Sequence, residues 1–221
     1  MVKEKIGLFG GTFNPIHLGH LRAAGIIRQA FSLSKILFIP SYIPPHKAAL
    51  DMAPPADRLR MVELAVEGQA GFLACDIEVE AQETSYSILT LKKIKKIYPR
   101  ALLFFILGVD AFLEIDSWRE YERVLAQCAF IVISRPGHDL DKARDVLGGR
   151  YREDMCRLSS EEPIEEVRLS SYKIFLFTLD ALEISSTEIR RRVKCGESLR
   201  GFVSSAVEDY IREKRLYLWQ K

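Results

Sequence analysis

Ile6-Gly7-Leu8-Phe9-Gly10-Gly11-Thr12-Phe13-Asn14-Pro15-Ile16-His17-Leu18-Gly19-His20 is the stretch on which the fold turns. An apolar run ends in two glycines, a tight turn follows, and two histidines at i and i+3 open an apolar-periodic segment from Leu18 to Ala30. The pattern predicts a strand, a phosphate-cradling loop and a helix N-terminus. Amides at a helix start point outward with partial positive charge, so anions bind there. Glycines let the backbone approach a phosphate closely. Histidines at i and i+3 share a helix face and can both donate to phosphate oxygens. The chemistry inferred is that of nucleotide phosphates.

Outward from this stretch, strand-like and helix-like segments alternate. Strands are expected at Lys5–Phe9, Lys35–Ile39, Phe72–Cys75, Ala101–Leu107, Phe130–Ser134 and Ile174–Phe177. Helices are expected at Leu18–Ala30, Pro55–Val66, Ser87–Tyr98, Trp118–Leu125, Thr187–Lys194 and Ser205–Lys214. Ser185 with Glu188, and Ser205 with Glu208, have capping-box spacing. Alternation of this kind predicts an α/β fold, a Rossmann-like parallel sheet flanked by helices. Ligands then bind at the carboxyl ends of the strands, near a topological switch point. His138 to Ser171 is the least patterned region. It reads as a peripheral insertion, with a short helix over Asp141 to Leu147.

Composition narrows the classes. The 221 residues suffice for one α/β domain with a full core. A net charge of +2 gives no global field for nucleic acid or a membrane surface, so any anion site must be local. Four cysteines, Cys75, Cys128, Cys156 and Cys195, form no C-x-x-C pair, which suits a reducing cytoplasm. Met1 to Lys5 runs straight into the first strand, so no secretory leader is expected. The longest apolar run, Ala101 to Leu107, is far too short to span a bilayer. A homo-oligomer is compatible with all of this.

Two further constellations carry chemistry. In Ile184-Ser185-Ser186-Thr187-Glu188-Ile189-Arg190, consecutive hydroxyls at a helix start can donate to phosphate oxygens, and Arg190 offers a planar fork one turn later. Taken alone, Ser185 reads first as an ordinary helix cap. In Pro40-Ser41-Tyr42-Ile43-Pro44-Pro45-His46-Lys47, prolines stiffen a loop that would hold His46 and Lys47 over the strand ends.

The first stretch is neither a P-loop nor a G-x-G-x-x-G loop. It resembles, almost position for position, the signature of the H-x-G-H nucleotidyltransferase superfamily. That superfamily joins a nucleoside triphosphate to a phosphate-bearing partner and releases pyrophosphate. The Ile184–Arg190 stretch is similar to its I-S-S-T-x-I-R element, which implies a triphosphate grip opposite the histidines. The proline-rich loop is close to that of the bacterial nicotinate-nucleotide adenylyltransferases, implying contacts from His46 and Lys47 to the mononucleotide phosphate. Glu83-Thr84-Ser85-Tyr86-Ser87, Gly108-Val109-Asp110, Trp118 and Ser134-Arg135-Pro136-Gly137 also resemble that family's motifs, in the same order along the chain.

The resemblance implies the following assignments. His17, His20 and Arg190 are catalytic. Gly10, Gly11, Thr12, Phe13, Gly108, Asp110, Ser185, Ser186 and Thr187, with Arg190, bind ATP. Asn14, His46, Lys47, Thr84, Ser85, Tyr86, Trp118 and Arg135 bind nicotinate mononucleotide. One domain is expected over residues 1–221, an α/β core to residue 184 and a C-terminal helical segment completing the triphosphate site. A ring carboxylate can accept from amides at the helix start near Ser85–Ser87, a physical reason to expect the acid over the amide. Trp118 offers a flat face to the ring. Mg²⁺ is expected on the triphosphate, with no direct protein ligand.

Three departures stand out: Asn14 at a frequent Asp position, Leu89 at a usual Asp, and Ser204 at a usual proline. Other readings are a pantetheine-phosphate, cytidylyl or nicotinamide-nucleotide transferase, and a nucleotide-binding sensor without catalysis. A zinc site at His17 and His20 lacks nearby thiols in the sequence.

Overall fold

In the computed structural model, strand β1 (Lys5–Gly11) lies inside an all-parallel sheet, paired on both edges. The structure describes residues 3–45, 52–134, 139–161, 164, 166–171, 173–180 and 182–218. With β1 stand β2 (Lys35–Pro40), β3 (Phe72–Ala74), β4 (Leu102–Gly108), β5 (Ala129–Ile133), β6 (Met155–Ser159) and β7 (Ile174–Thr178). Among the described residues the sheet order is β3-β2-β1-β4-β5-β7-β6. Chain order reverses between β1 and β4, so the crevice at their carboxyl ends is the switch point.

The inner strands are mostly apolar because both faces are covered. Along β1, Phe9 packs on one side with Phe38, while Ile6 and Leu8 pack on the other. Helices α1 (Leu18–Ala30) and α2 (Pro55–Val66) cover the first face through Ala24, Ile27, Met61 and Val62. Helix α3 (Ser87–Ile97) covers the second with Ile88, Leu91 and Ile94, each fully buried. Each such side chain contributes about 1.5–3 kcal/mol of transfer free energy. At Gly7 an added Cβ would lie 2.9 Å from Leu33 Cδ1, so a side chain there would have to push its core neighbours aside.

After β4 come the one-turn α4 (Val109–Phe112) and the short α5 (Tyr121–Leu125). The helix expected from Trp118 therefore starts later, with Glu120 at its N-cap in left-handed backbone, φ 55°. The region read as an insertion holds β6, which extends the sheet beside β7. An edge strand is half-exposed, and Met155-Cys156-Arg157-Leu158-Ser159 carries no continuous apolar run to betray it. A 3₁₀ turn, Leu140–Arg144, stands where a helix from Asp141 was expected. Helix α6 (Glu166–Ser171) follows β6.

The C-terminal helices α7 (Ser186–Lys194) and α8 (Ser205–Glu213) close the first face. Ile189, Val207, Ile211 and Leu216 join the same apolar cluster as α1 and α2. Ser185 caps α7, accepting from the Glu188 amide at 3.1 Å. The cap of α8 is Ser204, not Ser205, and accepts from the Val207 amide. The departure from proline at position 204 thus supplies a helix cap. No helix among the described residues is long and apolar enough to cross a membrane.

Candidate active site

The loop after β1 is built by its own side chains. Phe13 sits in left-handed backbone, φ 46°, and its ring packs over Gly11, where a Cβ would come within 3.1 Å of it. The bareness of Gly11 thus seats Phe13 as well as opening the backbone to a ligand. Phe13 in turn stands edge-on to His20, with ring centroids 5.2 Å apart.

His17 is the N-cap residue of α1, and its ring stacks on that of His20 at 3.6 Å. The His17 amide donates to His20 Nδ1 at 3.3 Å. Gly19 lies under this pair, where a Cβ would meet His17 Nδ1 at 3.0 Å. That is the physical content of the H-x-G-H spacing. The glycine leaves room for the first imidazole, and the helical turn brings the second alongside it. His17 is buried and His20 half-buried, so both belong to a wall rather than to a solvated face.

The N-terminus of α7 is clipped to the same loop. Ser186 Oγ donates to the Pro15 carbonyl at 2.9 Å, and Arg190 Nη1 donates to the Asn14 carbonyl at 2.9 Å. Arg190 Nη2 reaches Thr187 Oγ1 at 3.4 Å. The run of hydroxyls therefore divides its labour: Ser185 caps, Ser186 clips and Thr187 accepts from the arginine. The clip puts the start of α7 and a guanidinium against the Asn14–Pro15 turn that leads into His17. Arg191 and Arg192 are paired instead with Glu188, whose carboxyl is pushed down to about 2 chiefly by hydrogen bonds from Arg191.

On the other side of β1 a cavity of about 230 Å³ opens at the carboxyl ends of β1, β2 and β4. Gly10, Gly11 and Thr12 line one wall, and Ser85, Tyr86 and Trp118 another. Trp118 is half-buried and set edge-on against Phe105, with centroids 6.0 Å apart. Ser41 Oγ, also lining the cavity, is buried with no hydrogen-bond partner among the described residues. Asp110 is the second residue of α4, whose N-cap is Gly108, so it does not cap that helix.

The ring-recognition segment differs from expectation. The Ser85 amide donates to the Ile43 carbonyl at 2.9 Å, and the Tyr86 amide to the Thr84 carbonyl at 3.0 Å. Of the three amides expected to meet a ring carboxylate, these two are already engaged. Thr84 pairs with Ile43 in an isolated bridge, tying the two loops together. Asn14, expected to face the mononucleotide, accepts from the Ala53 amide through Oδ1 at 3.0 Å. His46, Lys47 and Arg135 lie outside the described residues.

A buried and a half-buried charged group, Arg58 and Glu78, escaped the sequence reading. Arg58 is fully buried and donates to the carbonyls of Ala53, Thr12 and Tyr42 at 3.0, 2.8 and 2.9 Å. Burial lowers its pKa to about 10. It ties the loop after β1 to the loop after β2. Glu78 accepts from Thr90 Oγ1 at 2.5 Å and from Ser85, and burial raises its pKa. Ser85 Oγ accepts from the Tyr42 amide at 2.8 Å, so Tyr42 is held at both ends of its backbone unit. Glu78 supplies the carboxyl at this helix start that Leu89 lacks. Nothing in the local pattern marks either residue, because each acts outside its own element, Arg58 across as many as 46 positions and Glu78 across 12. Among the described residues no three His, Cys, Asp or Glu side chains are grouped to hold a metal ion.

Comparison with known proteins settles the family. The cytidylyltransferase-like family profile matches residues 8–192. A protein of Desulfatibacillum aliphaticivorans named "Probable nicotinate-nucleotide adenylyltransferase" is 42% identical over 97% of this chain and 100% of its own length. One of the same name from Geobacter sulfurreducens is 38% identical over 96% and 98%. This chain belongs to the nicotinate-nucleotide adenylyltransferase family. It is a nucleotidyltransferase. The fold also matches the Plasmodium falciparum nicotinic acid mononucleotide adenylyltransferase complexed with NaAD. The TM-score is 0.70 at 20% identity, with 98% of each chain covered. The family's two signature elements, H-x-G-H and I-S-S-T-x-I-R, are the two that meet at the clip between Asn14–Pro15 and Ser186–Arg190.

Proposed function

We propose that this protein transfers the adenylyl group of ATP to nicotinate mononucleotide, giving nicotinate adenine dinucleotide and pyrophosphate, in NAD biosynthesis. One observation carries the reading: the α7 N-terminus and Arg190 are fastened to the histidine loop on one side of the β1 end, while an aromatic-walled cavity opens on the other. A triphosphate suits the first and a flat ring the second.

The mononucleotide phosphate attacks the α-phosphorus of ATP in line. The bond to the bridging oxygen breaks, and its electron pair leaves with pyrophosphate. The nucleophile is already an anion, so no general base is needed. Catalysis is then positioning of two polyanions and neutralisation of charge on the transferred group. His17, His20, Arg190 and the amides of Gly11 and Thr12 do this at the phosphates. Gly10, Phe13, Gly108, Asp110, Ser185, Ser186 and Thr187 complete the ATP side. Ser41 adds an inward hydroxyl to Asn14, Thr84, Ser85, Tyr86 and Trp118 on the mononucleotide side, and His46, Lys47 and Arg135 are assigned there too. Mg²⁺ accompanies ATP, held mainly by phosphate oxygens and water. The whole chain acts as one domain, with residues 185–221 completing the triphosphate site. The four cysteines are free thiols, which suits the cytoplasm.

Product identification tests this. Purified protein given ATP, Mg²⁺ and nicotinate mononucleotide should form nicotinate adenine dinucleotide, seen by mass spectrometry, with one pyrophosphate per dinucleotide. Binding of both without product would favour the sensor reading.

A further inference from the structure

The cavity wall is chemically unbalanced for an anionic ring. Glu78 and Glu114 both line it, Glu78 half-buried and Glu114 exposed. The Ser85 and Tyr86 amides, expected to receive a ring carboxylate, donate instead to Ile43 and Thr84. A carboxylate placed there would meet two acidic side chains, with the Ser87 amide at the start of α3 as a backbone donor. The amide form of the ring would be the easier guest, unless a cation stands in the wall.

Such a cation is present. Arg119 lines the same cavity, next to Trp118 in sequence, with its guanidinium 4.9 Å from the centre of the Tyr86 ring. Among the described residues it forms no ion pair with either glutamate. A guanidinium stacked on an aromatic face keeps its edge donors available, and that fork matches a carboxylate in two-point geometry. Tyr86 thus holds the plane of Arg119 while Trp118, at the adjoining position, offers a face to the ring.

We infer that Arg119 is a specificity-determining residue of the mononucleotide site, reading the carboxylate of an aromatic acid ring and setting the preference for the acid over the amide. The inference rests on the proposed function, because it needs a mononucleotide ring in this cavity. Arg119 has no part in the phosphoryl chemistry, so its effect should fall on KM for the acid substrate rather than on kcat.

The test compares wild type with Arg119→Gln and Arg119→Lys, measuring kcat and KM for nicotinate mononucleotide, nicotinamide mononucleotide and ATP. For Arg119→Gln the acid-to-amide ratio of kcat/KM should fall about tenfold, carried by a higher KM for the acid, the scale of one charged hydrogen-bonding partner. Arg119→Lys should keep part of the preference, and the wild-type preference should weaken with added salt. An unchanged ratio in Arg119→Gln, or equal loss on both substrates, overturns the inference and leaves the reaction standing. A wild-type protein that adenylylates neither mononucleotide overturns the proposed function and this inference with it.

Discussion

Arg190 Nη1 lies 2.9 Å from the carbonyl oxygen of Asn14, a hydrogen bond that spans 176 positions of sequence and joins the last third of the chain to its first turn. The same guanidinium faces Thr187, so one side chain fastens α7 to the loop, and under the proposed function it also supplies its charge to the phosphates. Replacing Arg190 with Ala should lower kcat by about 10²-fold to 10³-fold, the loss expected for one preorganised donor. Lysine should recover part of the rate, since it keeps the charge but not the fork. A near-normal pyrophosphate release rate in Arg190→Ala would remove this residue from the mechanism.

His20 is expected to behave alike. His20→Ala should lose about 10²-fold or more in turnover. Since His20 is only half-buried, its thermal midpoint should change little. A loss of stability matching the loss of rate would point to packing against Phe13 instead.

Gly19→Ala separates fold from function. Alanine is favoured over glycine by about 1 kcal/mol in a helix interior, a gain only partly realised at this second helical residue and offset by crowding, so Tm should change little. The new Cβ would sit 3.0 Å from His17 Nδ1 and displace that ring. Turnover should fall by about tenfold to a hundredfold, as small displacements at a reacting centre do. Wild-type turnover in Gly19→Ala would show that His17 is not placed for catalysis.

The folding pattern was open to sequence reading where local physics decides it. Six of the strands and the long helices α1, α2 and α3 follow from apolar runs and helical periodicity. β6 was hidden because an edge strand needs no continuous apolar run. The H-x-G-H loop and the Ile184–Arg190 element were legible as motifs, but not the bonds that fasten them together. Arg58 looked like one more charged residue of an amphipathic helix. Only the structure shows it buried among three carbonyls.

Arg58→Met should accordingly cost about 3 kcal/mol or more, since three buried carbonyls lose their partner at about 1–3 kcal/mol each. For a chain of this size that lowers Tm by roughly 10 °C. Lysine should cost less. A Tm for Arg58→Met within a degree or two of wild type would contradict the reading of Arg58 as the tie between the two loops.

The ion pairs of Glu188 predict an acid dependence. Its carboxyl is held at about 2 against an ordinary 4.5, so the pairing contributes fully above 4.5 and is lost as pH falls through about 2. The Tm gap between wild type and Glu188→Gln should therefore close over that window. A gap independent of pH across it would place the effect elsewhere.

The most direct measurement is pyrophosphate release by the purified protein with ATP and Mg²⁺, comparing nicotinate mononucleotide, nicotinamide mononucleotide and phosphopantetheine as acceptors. Fast release with the first, slower release with the second and none with the third is the predicted result. Release with phosphopantetheine alone, or with none of the three, would contradict the account.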